Sequence, residues 1–279
     1  IEDNSIVILF SGLEKSRYND VNYKFRQSSN FFYLTGINNP SMLLIITKTS
    51  NRHSTTLVCD RPNDIDKIWH GQLPSKLSYK NQFEIQNVLY FDELKSLELN
   101  DAKNIYYEFA DENRLNEFIS NLNLSQPQSR YLRNNTSRST KIDLSNLIFD
   151  MRRIKSKSEV SLIRHAAKIS AKAHINIMKS CKSGLKEYEV EADFIKHCMS
   201  ERCEQAYPAI VASGKNACVL HYTKNNAILR SNSLLLVDAA AEYDNYASDI
   251  TRTIPISGKF NEFQKKIYEI VLKAQTMAI

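Results

Sequence analysis

Two aspartates late in the chain have the residue type and spacing to hold a cation. Asp238 ends an apolar run, Ser233-Leu-Leu-Leu-Val-Asp238. Asp249 lies in Ser248-Asp249-Ile-Thr-Arg-Thr253, where β-branched residues alternate. Between them, Asp244-Asn245 flanked by Tyr243 and Tyr246 reads as a two-residue hairpin turn, because Asp and Asn tolerate the positive φ it needs. With that turn and no bulge, Asp238 faces Thr251 and Asp249 faces Ala240. Strand side chains alternate, so Asp238 and Asp249 are diagonal neighbours on one face, backbones roughly 7–8 Å apart. Two carboxylates so placed repel unless something neutralises them. A divalent cation does so, and clustered oxygen donors favour Mg²⁺, Ca²⁺ or Mn²⁺. The alternative is a strand-end Asp238 and a solvated Asp249, and the spacing leaves both open.

The other chemical signals are weaker. His221, in Cys218-Val-Leu-His221-Tyr-Thr, is a candidate acid or base, although a lone His is more often a packed or surface residue. Ser213-Gly214-Lys-Asn lacks the spacing of a phosphate-binding P-loop. With no G-x-S-x-G elbow, a serine hydrolase has little support. The five cysteines contain no C-x-x-C pair, which argues against a disulfide framework or structural zinc and for reduced thiols. The net charge of +6 is spread thinly, its densest cluster being Arg152, Arg153, Lys155 and Lys157. A nucleic-acid binder would concentrate its charge in a stripe, so no nucleic-acid partner is expected. The longest apolar runs, Ile6–Phe10, Met42–Ile46 and Leu234–Val237, are far short of the ~18 residues of a membrane span.

These residues need elements to position them. At 42% hydrophobic and 24% charged, the 279 residues have the composition of a globular protein. In the first half, candidate strands Ser5–Phe10, Met42–Thr47, Thr55–Cys59, Val88–Phe91 and Asn104–Phe109 alternate with helix-like stretches such as Asp64–His70 and Asp111–Leu122. That alternation predicts an α/β layer with a partly parallel sheet. The polar stretch Ser125–Lys141 reads as a linker, which puts the domain boundary near Leu144–Asp150. Ser156 and Glu159 then form a capping box, and Leu162, Ala166, Ile169, Ala173 and Ile177 make one apolar helix face. Gly184 is placed to stop that helix. Further helices are expected over Leu185–Met199 and from Asn261, the latter with Phe263, Ile267, Ile270 and Ala274 on one face.

Read in series, Tyr207-Pro-Ala-Ile-Val-Ala-Ser-Gly214, Leu220-His221-Tyr222, Leu235-Leu-Val-Asp238-Ala-Ala-Ala-Glu-Tyr243, Ser248-Asp249-Ile-Thr-Arg-Thr253, Gly258-Lys-Phe260 and Gln264-Lys-Lys-Ile-Tyr268 resemble aminopeptidase P. This is one of the pita-bread metallopeptidases, which include prolidase and methionine aminopeptidase. Arg153-Ile-Lys-Ser-Lys-Ser-Glu159 resembles that domain's opening helix. Arg26-Gln-Ser-Ser-Asn-Phe-Phe-Tyr-Leu-Thr-Gly36, Cys59-Asp-Arg61 and Trp69-His-Gly71 resemble the family's N-terminal domain. Within the family the chain looks most like the fungal mitochondrial intermediate-cleaving aminopeptidase.

The resemblance implies an α/β N-terminal domain of the creatinase/aminopeptidase P type over residues 1–145. The first part of an α+β pita-bread catalytic domain would follow over 146–279. It implies a metallo-aminopeptidase removing one N-terminal residue from peptides or imported protein intermediates by two-metal hydrolysis, with manganese as the ion. Asp238 and Asp249 match two metal ligands and His221 the residue that binds substrate and moves protons. Tyr207 and Thr251 match positions that steady the ligands. The family's remaining His and two Glu ligands come from later segments, so the chain is expected to be cut short and residues 1–279 alone to be inactive. A homodimer fits this reading, as does a mitochondrial location, with nucleus and cytoplasm as alternatives. The competing reading is a non-enzymatic pita-bread protein that binds peptides or histones, which the paired aspartates disfavour.

Overall fold

Apolar side chains that point alternately to two faces build the first sheet. In β1 (Ser5–Phe10), Val7 and Leu9 point into one core, and Ile6 and Ile8 into another on the opposite face. Both faces are therefore covered, which is why the strand reads as a continuous apolar run. The computed structural model describes residues 1–71, 73–96, 102–109 and 139–279. These divide into two units, Ile1–Ile154 and Lys155–Ile279.

After β1, the first unit contains a short hairpin, β2 (Ser16–Tyr18) with β3 (Val21–Asn22), and α1 (Ser29–Thr35). Then come β4 (Leu43–Thr49), β5 (Arg52–Cys59), α2 (Asp64–His70), α3 (Lys76–Phe83), β6 (Asn87–Tyr90), β7 (Asn104–Tyr107), β8 (Thr140–Asp143) and α4 (Ser145–Arg153). The six-stranded sheet has the order β6-β5-β4-β1-β7-β8. β4 runs antiparallel to β1 and β5, while β1/β7, β5/β6 and β7/β8 are parallel, giving the partly parallel sheet expected.

Two expectations need adjustment. The linker reading of Ser125–Lys141 includes Thr140 and Lys141, but they pair with Asn104 and Ile105 as an edge strand. Both are exposed, so backbone pairing and not apolar patterning places them. The division between units falls after Ile154, because Leu144 and Ile148, 4% and 1% exposed, pack with Val7 and Leu9 in the first core. The helix expected over Asp111–Leu122 lies outside the described residues.

In the second unit, α5 (Lys157–Ser180) opens with the expected capping box: the Glu159 amide donates to Ser156 Oγ at 3.3 Å and the Ser156 amide donates to Glu159 Oε2 at 2.7 Å. Cys181 ends the helix in extended conformation, so Gly184, at φ 94°, serves the turn beyond and not the helix stop. α6 (Glu187–Ser200) follows, then β9 (Glu204–Gln205), β10 (Ile210–Ser213), β11 (Leu234–Asp238), β12 (Ala241–Tyr243), β13 (Tyr246–Ala247), β14 (Thr251–Pro255) and α7 (Glu262–Ala278). Ile169, Ala173 and Ile177 of α5 share a core with Val190 and Phe194 of α6 and with Val211, Leu235 and Val237 of the sheet. On α7, Phe263, Ile267 and Ile270 are exposed among the described residues.

Candidate metal site

The strand register matches the sequence reading. Leu234 pairs with Pro255 and Asp238 with Thr251, and beyond them Glu242 pairs with Ala247 and Tyr243 with Tyr246. Asp244 and Asn245 take φ 46° and 63°, the left-handed pair of a tight hairpin turn. The ribbon is not continuous, however. β10, β11 and β14 form one three-stranded sheet, and β9, β12 and β13 form another. All three chain passages change sheets at the same level, through residues 206–209, 239–240 and 248–250. Tyr207, Asp238 and Asp249 stand at that level.

Tyr207 brings the two carboxylates together. Its hydroxyl lies 2.6 Å from Asp238 Oδ1 and 3.1 Å from Asp249 Oδ1. A phenol carries one proton, so it donates to one carboxylate at a time. Burial, then hydrogen bonding to and the charge of Asp238, with Asp249 adding, push the Tyr207 phenol well above its ordinary value. It is therefore a permanent donor at neutral pH. What remains are two oxygen-donor side chains of like charge with a single proton between them, an arrangement a hard divalent cation would relieve. Among the described residues no group of three or more His, Cys, Asp or Glu side chains is placed to hold a metal ion. The pair thus suits such an ion as part of a donor set and needs further donors to complete it.

α5 supports the sheet change from behind. His174, 3% exposed, lies with Nε2 at 2.9 Å from the Ala239 carbonyl. Because the facing atom is a carbonyl oxygen, Nε2 carries the proton. Burial holds this imidazole below its ordinary value, against the pull of the Ala239 carbonyl. One turn earlier, Ser170 Oγ accepts from the Ala241 amide at 2.8 Å and lies 2.8 Å from Ser248 Oγ. These contacts satisfy backbone groups that the interrupted ladder leaves without strand partners.

His221 lies in the connection between β10 and β11. It is exposed, in the turn after a short 3₁₀ segment Gly214–Cys218, and has no hydrogen bond or ion pair to either carboxylate. Its loop is anchored through Glu187, the first residue of α6, which is fully buried. The Glu187 carboxylate accepts from the Ser213 amide (2.7 Å) and hydroxyl (2.8 Å), Asn216 Nδ2 (3.1 Å), the Tyr222 hydroxyl (2.7 Å) and the Ala227 amide (2.9 Å). Burial opposes its ionisation, but the amides of Ala227 and Ser213 and the two hydroxyls outweigh that and hold its carboxyl below the usual value. Buried Asn225 adds a second anchor, accepting from the Val211 amide at 3.0 Å and donating to the Ala209 carbonyl at 2.9 Å along the outer side of β10.

Sequence reasoning did not single out Ser170, His174, Glu187 or Asn225. The available signal was polar residues at core positions, with Ser170 and His174 spaced i, i+4 beside the apolar face of α5. Thr251 was singled out, and it stands opposite Asp238 in the ladder.

Residues 1–106 match the aminopeptidase P N-terminal domain and residues 161–279 match metallopeptidase family M24. The Xaa-Pro aminopeptidase of Escherichia coli strain K12 is 33% identical over 98% of this chain. The proline aminopeptidase P II of Yersinia pestis superposes with a TM-score of 0.90 at 32% identity, over 99% of this chain and 64% of its own. An Escherichia coli aminopeptidase P solved with the inhibitor Pro-Leu gives 0.90 at 31% identity, over 98% of this chain and 63% of its own. The chain spans 63% of the length of the Escherichia coli relative. Two domain matches in succession, within alignments that run almost end to end of this chain, show an aminopeptidase P N-terminal domain followed by an M24 metallopeptidase domain of pita-bread type, the domain pair of the aminopeptidase P family.

Proposed function

We propose that this protein is a metal-dependent aminopeptidase that releases a single N-terminal residue, with Xaa-Pro peptides as its substrate class. One observation carries the reading: Asp238 and Asp249 converge on one hydroxyl at the sheet change of a domain matching the M24 metallopeptidases. The names of the relatives support the substrate class. Bound divalent cations would supply an acidified water and polarise the peptide carbonyl. Asp238 and Asp249 would hold the ions, and the Tyr207 proton would fix the carboxylates' orientation. His221, exposed on its anchored loop, would donate a proton to the carbonyl or the leaving nitrogen. Two metals, manganese as their identity, a homodimer, a role on imported protein intermediates and a mitochondrial location belong to the same proposal. They rest on the motif resemblance.

The test is metal analysis of the full-length protein together with cleavage of a peptide panel contrasting Pro and non-Pro second residues. Stoichiometric divalent metal with release of one N-terminal residue from Xaa-Pro peptides is expected. A metal-free protein that binds these peptides and leaves them intact would overturn the proposal.

A further inference from the structure

The carboxylate pair sits where the strand pairing is interrupted. Asp238 is the last residue of β11 and Thr251 the first of β14, so Asp249 lies outside the ladder altogether. Two backbone bonds cross the gap directly, Ala239 N to Ile250 O at 3.3 Å and Ser248 N to Ala241 O at 3.0 Å. The first is long for an amide–carbonyl bond. The Ala206 amide also donates to the Ala240 carbonyl at 2.8 Å, and α5 adds support from behind. His174 Nε2 meets the carbonyl of Ala239, the residue after Asp238, and the Ala239 amide in turn donates to Ile250, the residue after Asp249. Ser170 takes the Ala241 amide and meets Ser248, the residue before Asp249. Both side chains are almost wholly buried, and His174 is wedged edge-on against Phe194 with ring centroids 5.7 Å apart. Each passage that carries an aspartate is thus tied, one residue away from it, to the same rigid helix.

We propose that His174 and Ser170 are positioning residues for metal binding: together they fix the separation of Asp238 and Asp249, His174 by holding the Ala239 carbonyl and Ser170 by meeting Ser248 and the Ala241 amide. This rests on the reading of those aspartates as metal ligands. Groups that orient ligands from behind typically change metal affinity about 10–100-fold when removed.

The measurement is Mn²⁺ binding to the full-length, metal-stripped protein by titration calorimetry, with melting temperature recorded in parallel. His174→Leu removes the donor at similar volume and is expected to weaken Mn²⁺ about 10–100-fold. His174→Gln keeps an N–H able to reach the Ala239 carbonyl and should recover most of that loss. Ile177→Val, in the same helix and core, should lower the melting temperature and leave Mn²⁺ affinity unchanged, separating positioning from general stability. If His174→Leu fails to fold, Ser170→Ala deletes only a hydroxyl and should shift affinity in the same direction. Unaltered Mn²⁺ affinity in the folded His174→Leu or Ser170→Ala protein overturns the inference. Asp249→Ala distinguishes the two levels: if it loses Mn²⁺ while His174→Leu and Ser170→Ala do not, positioning is wrong and the ligand assignment stands. If Asp249→Ala binds normally, the ligand assignment falls and the inference with it.

Discussion

Replacing Glu187 should unfasten the loop that carries His221. Its carboxylate is the acceptor for two backbone amides, two hydroxyls and one side-chain amide, and it has no contact with water. In Glu187→Ala, the hydroxyls can turn to other acceptors; Tyr222 already lies 3.3 Å from Asn226 Oδ1. The amides of Ser213 and Ala227 cannot turn. At about 1–3 kcal/mol for each buried donor left unmade, those two alone cost roughly 2–6 kcal/mol. A loss of about 4 kcal/mol in urea unfolding is therefore expected, together with faster amide exchange at Ser213 and Ala227. Glu187→Gln keeps the volume and one carbonyl oxygen but turns an amide toward donors, and should lose about half as much. The pH dependence is a second readout. The folded carboxyl titrates below its ordinary value of 4.5, so the folded state binds fewer protons than the unfolded chain. The stabilisation is complete above about pH 4.5 and disappears as pH falls through the folded value. Glu187→Gln should flatten that acid limb. A Gln variant with unchanged stability at pH 7 and an unchanged acid limb would refute the reasoning.

Other outcomes follow from the same geometry. In the full-length protein, Asp249→Ala should abolish both metal binding and peptidase turnover while the far-ultraviolet spectrum stays unchanged. Stoichiometric metal with normal turnover would contradict the ligand assignment. His221→Ala should lower kcat about 10²–10⁴-fold and leave metal content near normal, as checked by steady-state kinetics beside metal analysis. If metal and activity disappear together, His221 is a ligand. Tyr207→Phe removes the proton shared by two carboxylates and should destabilise the metal-free protein by about 1.5–3 kcal/mol, the worth of a hydrogen bond to a charged group. Added Mn²⁺ should reduce that loss, and equal urea midpoints with and without Tyr207's hydroxyl would exclude its bridging role.

Much of the hairpin was legible from local chemistry. Asp244-Asn245 encodes the turn because both residues tolerate positive φ, and once the turn is fixed the pairing of Asp238 with Thr251 follows by counting. The capping box at Ser156 and Glu159 and the α5 face of Ala166, Ile169, Ala173 and Ile177 are likewise local, carried by a few residues at helical spacing. β8 was not legible, since Thr140 and Lys141 are exposed and owe their strand to a parallel partner more than thirty positions away in the chain. Similarly, α4 reads as the start of the second domain until Leu144 and Ile148 are seen in the first core.

What the sequence determined by itself, then, is the pair of aspartates, their common face and the family of motifs around them. Turn chemistry and the two-residue strand period act over a few residues and need no other part of the chain. Tertiary structure alone decided that the ribbon breaks beside both aspartates and that Tyr207 closes across the break. It also decided that Ser170, His174 and Glu187 are spent on backbone groups in the interior. A buried polar side chain exists to satisfy a particular amide or carbonyl, and which one that is depends on segments that meet only when the chain has folded.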